Sequence, residues 1–276
     1  MTSRIRIDSL MVQKGLVPSR ERARALILAG RVLVSEQKVD KPGVAFSEDV
    51  PIRILGLVDG KDQRYVSRGG LKLEAALAHW AIPVQGRACL DVGTSTGGFT
   101  DCLLQHGASH VSCVDTGYGQ IAMSLRMLST GDAPRIRLHE RTNARLLAPG
   151  SLLAEIPTPP GLALLVMDVS FISATLVLPP VLAAAPTLTE AVILVKPQFE
   201  AGREHIGKGG IVRDEFAHQL AIDRVTDCLR SLGAQQIEVI DSPITGMEGN
   251  REFLLHALLP SPASASPTPS STLKPE

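Results

Sequence analysis

Residues 88–100 read ACLDVGTSTGGFT. The run ACLDV has the character of a buried strand, Gly93 opens a turn, and GGFTDCLLQHG continues as a helix. A strand passing through a glycine turn into a helix begins a parallel α/β unit. Glycines at 93, 97 and 98 permit positive φ and let the main chain pass close to a ligand. The spacing departs from GxGxxG, because Ser95 stands at the second glycine position. On this stretch alone a nucleotide-type ligand and an ordinary tight turn are both open.

Outward from that turn, strands and helices alternate. HVSCVD, RIRLHE, LALLVMD and AVILV read as further strands, and LALLVMD is apolar enough to be buried on both faces. Helices are expected from about Ser173 and over DEFAHQLAIDRVTDCLRSLG. QQIEVI and REFLLHALL, joined by SPITGMEGN, read as an antiparallel hairpin at one sheet edge. The fold class is therefore α/β: a doubly wound, Rossmann-like sheet ending in a hairpin, the shape of class I methyltransferases rather than of a plain dinucleotide fold.

Ligands of such sheets bind outside the carboxyl ends of the strands. Asp115 ends the second strand, 22 residues after Gly93, where a carboxylate suits ribose hydroxyls. NAD would fit the same two features. Asp91 argues against it, since a carboxylate before the turn suits an amino group and repels pyrophosphate. No cysteine, histidine or tyrosine is placed for hydride chemistry either. Two further strand tips carry charge: LALLVMD ends on Asp168 and AVILV on Lys196. Glu252 lies at the terminal hairpin, and Lys72 on the helix that opens the domain. GREHIGKGG (202–210) approaches a phosphate loop, but Gly209 replaces the magnesium-binding Ser/Thr and the stretch does not join a strand to a helix. It reads as a loop over the site.

The net charge of zero conceals an asymmetry. Residues 1–31 hold seven basic and two acidic side chains (+5), leaving 21 basic and 26 acidic (−5) elsewhere. A basic front end on an acidic body suggests a polyanion-binding module beside a domain with another task. No apolar run approaches the length of a membrane span; LVLPPVLAAAPTL is cut by proline. The N-terminus lacks the apolar core of a signal peptide, so a cytoplasmic protein is expected. Cys89, Cys102, Cys113 and Cys228 show no zinc spacing and read as free thiols; no metal is expected.

In the basic module, RIRIDSLMVQKG reads as a helix with Ile7, Leu10 and Met11 inward and Gly15 as its stop. SRERARALILAG reads as a second, N-capped by Ser19, with Ala23, Leu26 and Ile27 inward and Gly30 at its end. RVLVSEQKV is a hairpin and VPIRIL a closing strand. The expected organisation is a module over 1–60, a linker over 61–66, a catalytic domain over 67–259 and a Pro/Ser-rich disordered tail over 260–276.

R-I-D at 6–8, SRERAR, G-R-V-L-V and V-D-K-P-G resemble the S4 RNA-binding domain, although Ser35-Glu36 replaces the usual Asn-Gly of its hairpin. The resemblance implies that Arg4, Arg6, Arg20 and Arg24 face RNA phosphates; Arg68 and Lys208 are added as RNA contacts. RGGLKL, DVGTSTGGFT, the Gly-Tyr-Gly-Gln at 117–120, MDVSFIS, VKPQFE, GKGGIVRD and SPITGMEGNREF together resemble the TlyA family of ribosomal RNA 2′-O-methyltransferases, an S4 domain joined to an FtsJ-like domain. The segment after 120 is longer than is usual there. The resemblance implies S-adenosylmethionine as cofactor, cytidine ribose in ribosomal RNA as target, and a catalytic set of Lys72, Asp168, Lys196 and Glu252. The cofactor site is expected at Asp91, Gly93, Ser95, Thr96, Gly97, Gly98, Phe99, Asp115, Asn143 and Asp168.

A ribose hydroxyl is a weak nucleophile that must be positioned and relieved of developing charge or of its proton. Lys196 is read as the central group, with Asp168 and Glu252 holding it and Lys72 helping to place the hydroxyl. Ribosomal RNA is the expected partner, without a membrane or an obligate protein partner. Two other functions compete: a membrane-active haemolysin, the label often given to this family, and a non-catalytic RNA-binding factor. The absence of an apolar span opposes the first, and the intact Lys-Asp-Lys-Glu set the second.

Overall fold

The computed structural model describes residues 4–54, 64–153, 161–246 and 249–260, apart from 18, 29 and 36. Two compact units divide the chain at 68/69. Of the expected linker, 61–63 lie outside the described residues, as does the Pro/Ser-rich stretch beyond Pro260.

The first unit runs β1 (Arg4–Arg6), α1 (Ile7–Gln13), α2 (Arg20–Leu28), β2 (Val32–Val34), β3 (Gln37–Val39), β4 (Ala45–Ser47) and β5 (Ile52–Ile54). One expectation is corrected. Arg4–Arg6 is not the first turn of a helix but a strand, paired antiparallel with Ala45–Ser47. Three residues are too few to distinguish a period of two from one of 3.6, and the tertiary pairing decides. The helix begins at Ile7, and Ile7, Leu10 and Met11 are buried as the pattern requires. Ser19 Oγ accepts the Arg22 N–H at 3.2 Å, the capping bond anticipated for α2. Ala23, Leu26 and Ile27 pack with Ile7, Met11, Val32 and Val34 in one core under the β3-β2-β5 sheet.

The second unit contains α3 (Gly69–His79), β6 (Ala88–Val92), α4 (Gly98–Gln105), β7 (His110–Val114), α5 (Met123–Arg126), β8 (Ile136–His139), β9 (Leu162–Met167), α6 (Leu178–Ala184), β10 (Glu190–Val195), α7 (Pro197–Glu200), α8 (Glu215–Ser231), β11 (Gln235–Asp241) and β12 (Phe253–Leu258). Its sheet has the order β11-β12-β10-β9-β6-β7-β8. β12 alone runs antiparallel to its neighbours, so the terminal hairpin forms one edge as expected. From β6 the chain winds outward through β7 to β8, then returns to the other side of β6 as β9. That reversal opens a crevice at the carboxyl ends of β6 and β9. β9 and β10 are buried on both faces, which explains their unbroken apolar runs. Among the described residues no helix is long and apolar enough to cross a membrane.

The opposite end of the sheet is clamped by charge. Glu190 Oε2 accepts from Arg87 at 2.5 Å, and Glu190 Oε1 lies 2.8 Å from His256 Nε2. Trp80, the sole tryptophan of the chain, stacks on His256 with centroids 5.1 Å apart and donates to Glu238 at 3.0 Å. Burial alone would raise the Glu190 carboxyl, but the bonds from His256 and Arg87 outweigh it and hold the group below its ordinary value. A depressed carboxylate stabilises the fold at neutral pH, and the contribution is lost as pH falls through the depressed value. Glu190→Gln is expected to lower stability at pH 7 by about 1–3 kcal/mol. It should also flatten the acid side of the stability profile. Urea unfolding followed by Trp80 fluorescence over a pH series measures both.

Candidate active site

The glycine turn is built by close approach. Gly93 has φ 86, and a Cβ there would lie 2.4 Å from the main-chain oxygen of Asp168, so the tips of β6 and β9 touch through main chain. Gly97, at φ 94, opens α4, and a Cβ there would meet Leu125 at 2.4 Å. Ser95 takes φ 49 where a glycine would be relaxed. Its N–H donates to Asp115 Oδ2 at 2.7 Å, a charge-assisted bond that helps hold the conformation. The Gly117 N–H donates to Asp115 Oδ1 at 2.7 Å. The carboxylate is thereby fixed facing the turn, each oxygen with a lone pair left for a hydroxyl. Ser95, Asp115, Gly117, Ile121, Leu138 and Glu140 are among the residues that line a pocket there.

Asp91 is fully buried at the end of β6. The Thr100 hydroxyl donates to Oδ2 at 2.5 Å, whereas Oδ1 has no hydrogen-bond partner. Burial pushes the carboxyl up to about 7; the Thr100 bond opposes this, and the charges of Asp168 and Asp115 add to it. An orphaned buried carboxylate oxygen is costly unless a donor meets it. Thr96 is exposed on the turn, and Gly98 is buried within the start of α4. Phe99 packs into the core and can meet a ligand through its main chain alone. Asn143 is exposed beyond β8, its side chain accepting the Arg145 N–H at 3.1 Å.

The strand tips bring the four charged residues together as two pairs. Lys196 Nζ lies 2.5 Å from Asp168 Oδ1 and donates to Ser170 Oγ at 2.7 Å. Glu252 stands opposite Lys196, one step beyond the Val195↔Phe253 pair of the β10–β12 ladder. Its carboxylate nevertheless binds Lys72, from α3. The expectation that Glu252 holds Lys196 is corrected: Asp168 and Ser170 do so, and Glu252 holds Lys72. Register fixes neighbours on a ladder, but which of two lysines a carboxylate reaches depends on side-chain direction across layers. Asp168 joins the halves of the site, touching Gly93 through its main chain and Lys196 through its side chain.

Ser170 and Phe171, within the MDVSFIS stretch, carry no individual signal in the sequence. Phe171 is 92% exposed, at φ 65, directly after the residue that binds Lys196. A bulky residue at positive φ is a genuine outlier.

In the first unit, Arg6 and Arg20 are exposed, yet both bind the fully buried Asp8, at 2.8 and 3.2 Å. Hydrogen bonds from Arg6, opposed by burial and reinforced by Arg20, hold the Asp8 carboxyl far below the ordinary range. Arg4 and Arg24 are exposed, Arg68 is half-buried, and Lys208 is exposed on the turn 208–210. The 202–210 stretch forms two short 3₁₀ turns and not a strand-to-helix phosphate loop.

Sheet order, glycine turn and acid-tipped second strand define a class I methyltransferase. Residues 65–258 match the model for FtsJ-like methyltransferases and residues 5–49 that for S4 domains, and the chain belongs to the FtsJ-like methyltransferase family. It is 41% identical over 255 residues to the 16S/23S rRNA (cytidine-2′-O)-methyltransferase TlyA of Mycobacterium tuberculosis, covering 92% of this chain and 90% of that one. It is 37% identical over 259 residues to Hemolysin A of Brachyspira hyodysenteriae, covering 92% and 100% of the two chains. A solved structure from Streptococcus thermophilus, described as a hemolysin, superposes with TM-score 0.62 at 37% identity, covering 94% of this chain and 90% of that one. The cofactor of this enzyme is S-adenosylmethionine.

The residues present fit that group. The unpartnered Asp91 oxygen suits an ammonium, the Asp115 carboxylate suits ribose hydroxyls, and the bare Gly93 lets a ligand approach the main chain. Because burial pushes the Asp91 carboxyl up to about 7, its negative charge, and with it its attraction for a cation, grows as pH rises through that value. Affinity for S-adenosylmethionine is expected to rise with pH through about 7, by up to about tenfold per pH unit on the acid side. Asp91→Asn should weaken binding and remove this dependence, as measured by calorimetry between about pH 6 and 8.

Proposed function

We propose that this protein transfers a methyl group to the ribose 2′-hydroxyl of a cytidine in ribosomal RNA, in the cytoplasm. In this reading residues 1–60 bind RNA and residues 67–259 carry the chemistry. The observation that carries it is the Lys196–Asp168 pair at the tips of β10 and β9, in main-chain contact with the glycine turn. The relative with a cytidine-2′-O activity supports the choice of target.

S-adenosylmethionine supplies the methyl group when bound at the glycine turn. The chain's own residues prepare the acceptor. Lys196, held by Asp168 and Ser170, presents an N–H donor into the crevice; it orients the hydroxyl oxygen and stabilises the charge that develops there. Lys72, anchored by the buried Glu252, adds a second fixed cation. Asp91 and Asp115 hold the cofactor end, so that donor and acceptor meet in a restricted geometry. Phe171 offers an exposed ring, one residue after the Ser170 that binds Lys196, on which a nucleotide base drawn out of its stack can rest. Its partner Phe199 supports that ring at 5.4 Å between centroids.

Lys196→Ala is expected to reduce methyl transfer by about 10²–10³-fold or more while cofactor affinity changes by less than about twofold. Tritiated methyl incorporation into unmodified ribosomal subunits measures the first, and calorimetry the second. Full turnover in Lys196→Ala would defeat the assignment. A liposome-leakage assay beside it separates this reading from membrane activity.

The exposed arginines of the first unit predict steeply salt-dependent RNA binding. Replacing Arg20 and Arg24 with alanine should lower the slope of log K against log salt by about 2. An unchanged slope would mean that those side chains merely face water.

A further inference from the structure

The loop after β9 carries Asp168, Ser170 and Phe171 in succession, with Phe171 at φ 65. Such a conformation persists only where the surroundings impose it. Here α7 imposes it at three points. Lys196, at the entry to α7, donates to Ser170 Oγ at 2.7 Å. Phe199 packs against Phe171. Glu200 reaches back across the loop: Oε2 accepts from the Ser173 hydroxyl at 2.5 Å, and Oε1 accepts the Ala174 N–H at 2.7 Å.

Glu200 is buried, and none of its hydrogen bonds goes to Lys72, Asp168, Lys196 or Glu252. Its main-chain carbonyl accepts from Arg224 at 2.5 Å, which ties α7 to α8. Ser173 passes the restraint on, its Oγ accepting the Thr175 N–H at 3.2 Å. Removing the carboxylate would leave the buried Ala174 N–H without its acceptor and turn the Ser173 hydroxyl toward Thr175 Oγ1, 2.6 Å away, in the segment that must hold a strained phenylalanine upright. A buried carboxylate of this kind is otherwise a poor choice for stability, since desolvation raises its energy.

We propose that Glu200 is a positioning residue for the substrate RNA: it pins Ser173 and Ala174, and so holds Phe171 exposed in the loop that carries the Lys196 partners Asp168 and Ser170. The inference rests on the reading of Phe171 as a base platform. Glu200 touches no reacting atom; it acts through the loop.

The test is steady-state kinetics on ribosomal RNA with Glu200→Ala, Phe171→Ala, the double variant and Glu200→Gln. Glu200→Ala should raise KM for RNA about tenfold, with affinity for S-adenosylmethionine within about twofold of the parent. The double variant should be no worse than Phe171→Ala alone, because both changes remove the same platform. Glu200→Gln keeps one carbonyl acceptor and should recover part of the loss. A parental KM in Glu200→Ala, or effects that multiply in the double variant, would overturn the proposal. Should Glu200→Ala fail to fold, Glu200→Gln decides: a raised KM with unchanged cofactor affinity supports it, and a parental KM overturns it. Unaltered kinetics in Phe171→Ala would remove the platform reading and this proposal together. An impaired Phe171→Ala beside a normal Glu200→Ala removes only the role of Glu200.

Discussion

The site depends on one close approach, that of Gly93 to the main chain of Asp168. A side chain at 93 would meet the Asp168 oxygen at 2.4 Å and its carbonyl carbon at 2.8 Å, so anything larger than hydrogen would force β6 and β9 apart at their tips. The Asp168 N–H also donates to the Val92 carbonyl at 2.9 Å, so the contact is fixed from both sides. Because β9 is the strand to which the winding returns, this is where the crevice of a doubly wound sheet opens. The glycine turn and the acid that holds Lys196 are thus two ends of one rigid contact.

The first unit, whose residues 5–49 match the S4 domain model, also relies on one fixed buried contact. Arginine side chains are long and lose much rotamer freedom when ordered. A buried aspartate beneath two of them restricts that freedom within the protein itself. Asp8 accepts from Arg6 and Arg20 and leaves their remaining N–H groups outward. The null charge of the whole chain hides this, because the basic surface is local and the compensating acids lie elsewhere.

How far the sequence announced all this follows from the kind of signal each feature leaves. β9 and β10 are legible because strands buried on both faces read as unbroken apolar runs, and their ends are marked by the first charge, Asp168 and Lys196. Gly93 and Gly97 are legible because left-handed backbone selects glycine; Ser95 shows that the selection is relaxed where an acid such as Asp115 holds the N–H. β1 is illegible, for three residues carry no period and its partner lies about forty residues away. The Lys72–Glu252 pairing is illegible too: it spans 180 residues and two layers, and both lysines were equally available on paper. Phe171 leaves no mark, since an exposed strained aromatic and a buried relaxed one are written with the same letter.

The division of four charges into two pairs also assigns their tasks. A lysine taken out of water is tolerated only with a partner, and both lysines here have one. The partners differ in exposure: the Glu252 side chain is 3% exposed, that of Asp168 23%. A sealed pair is screened little and stays fixed, which suits Lys72 as a permanent source of field at the crevice. The open pair admits solvent or substrate to its rim, and the Ser170 hydroxyl occupies one donor of Lys196 without closing the others. A ribose hydroxyl can therefore join the Lys196 pair without breaking it, and the partly exposed Asp168 leaves more room for it than the buried Glu252 leaves beside Lys72. On physical grounds the amine proposed to meet the nucleophile is the one beside the more exposed acid.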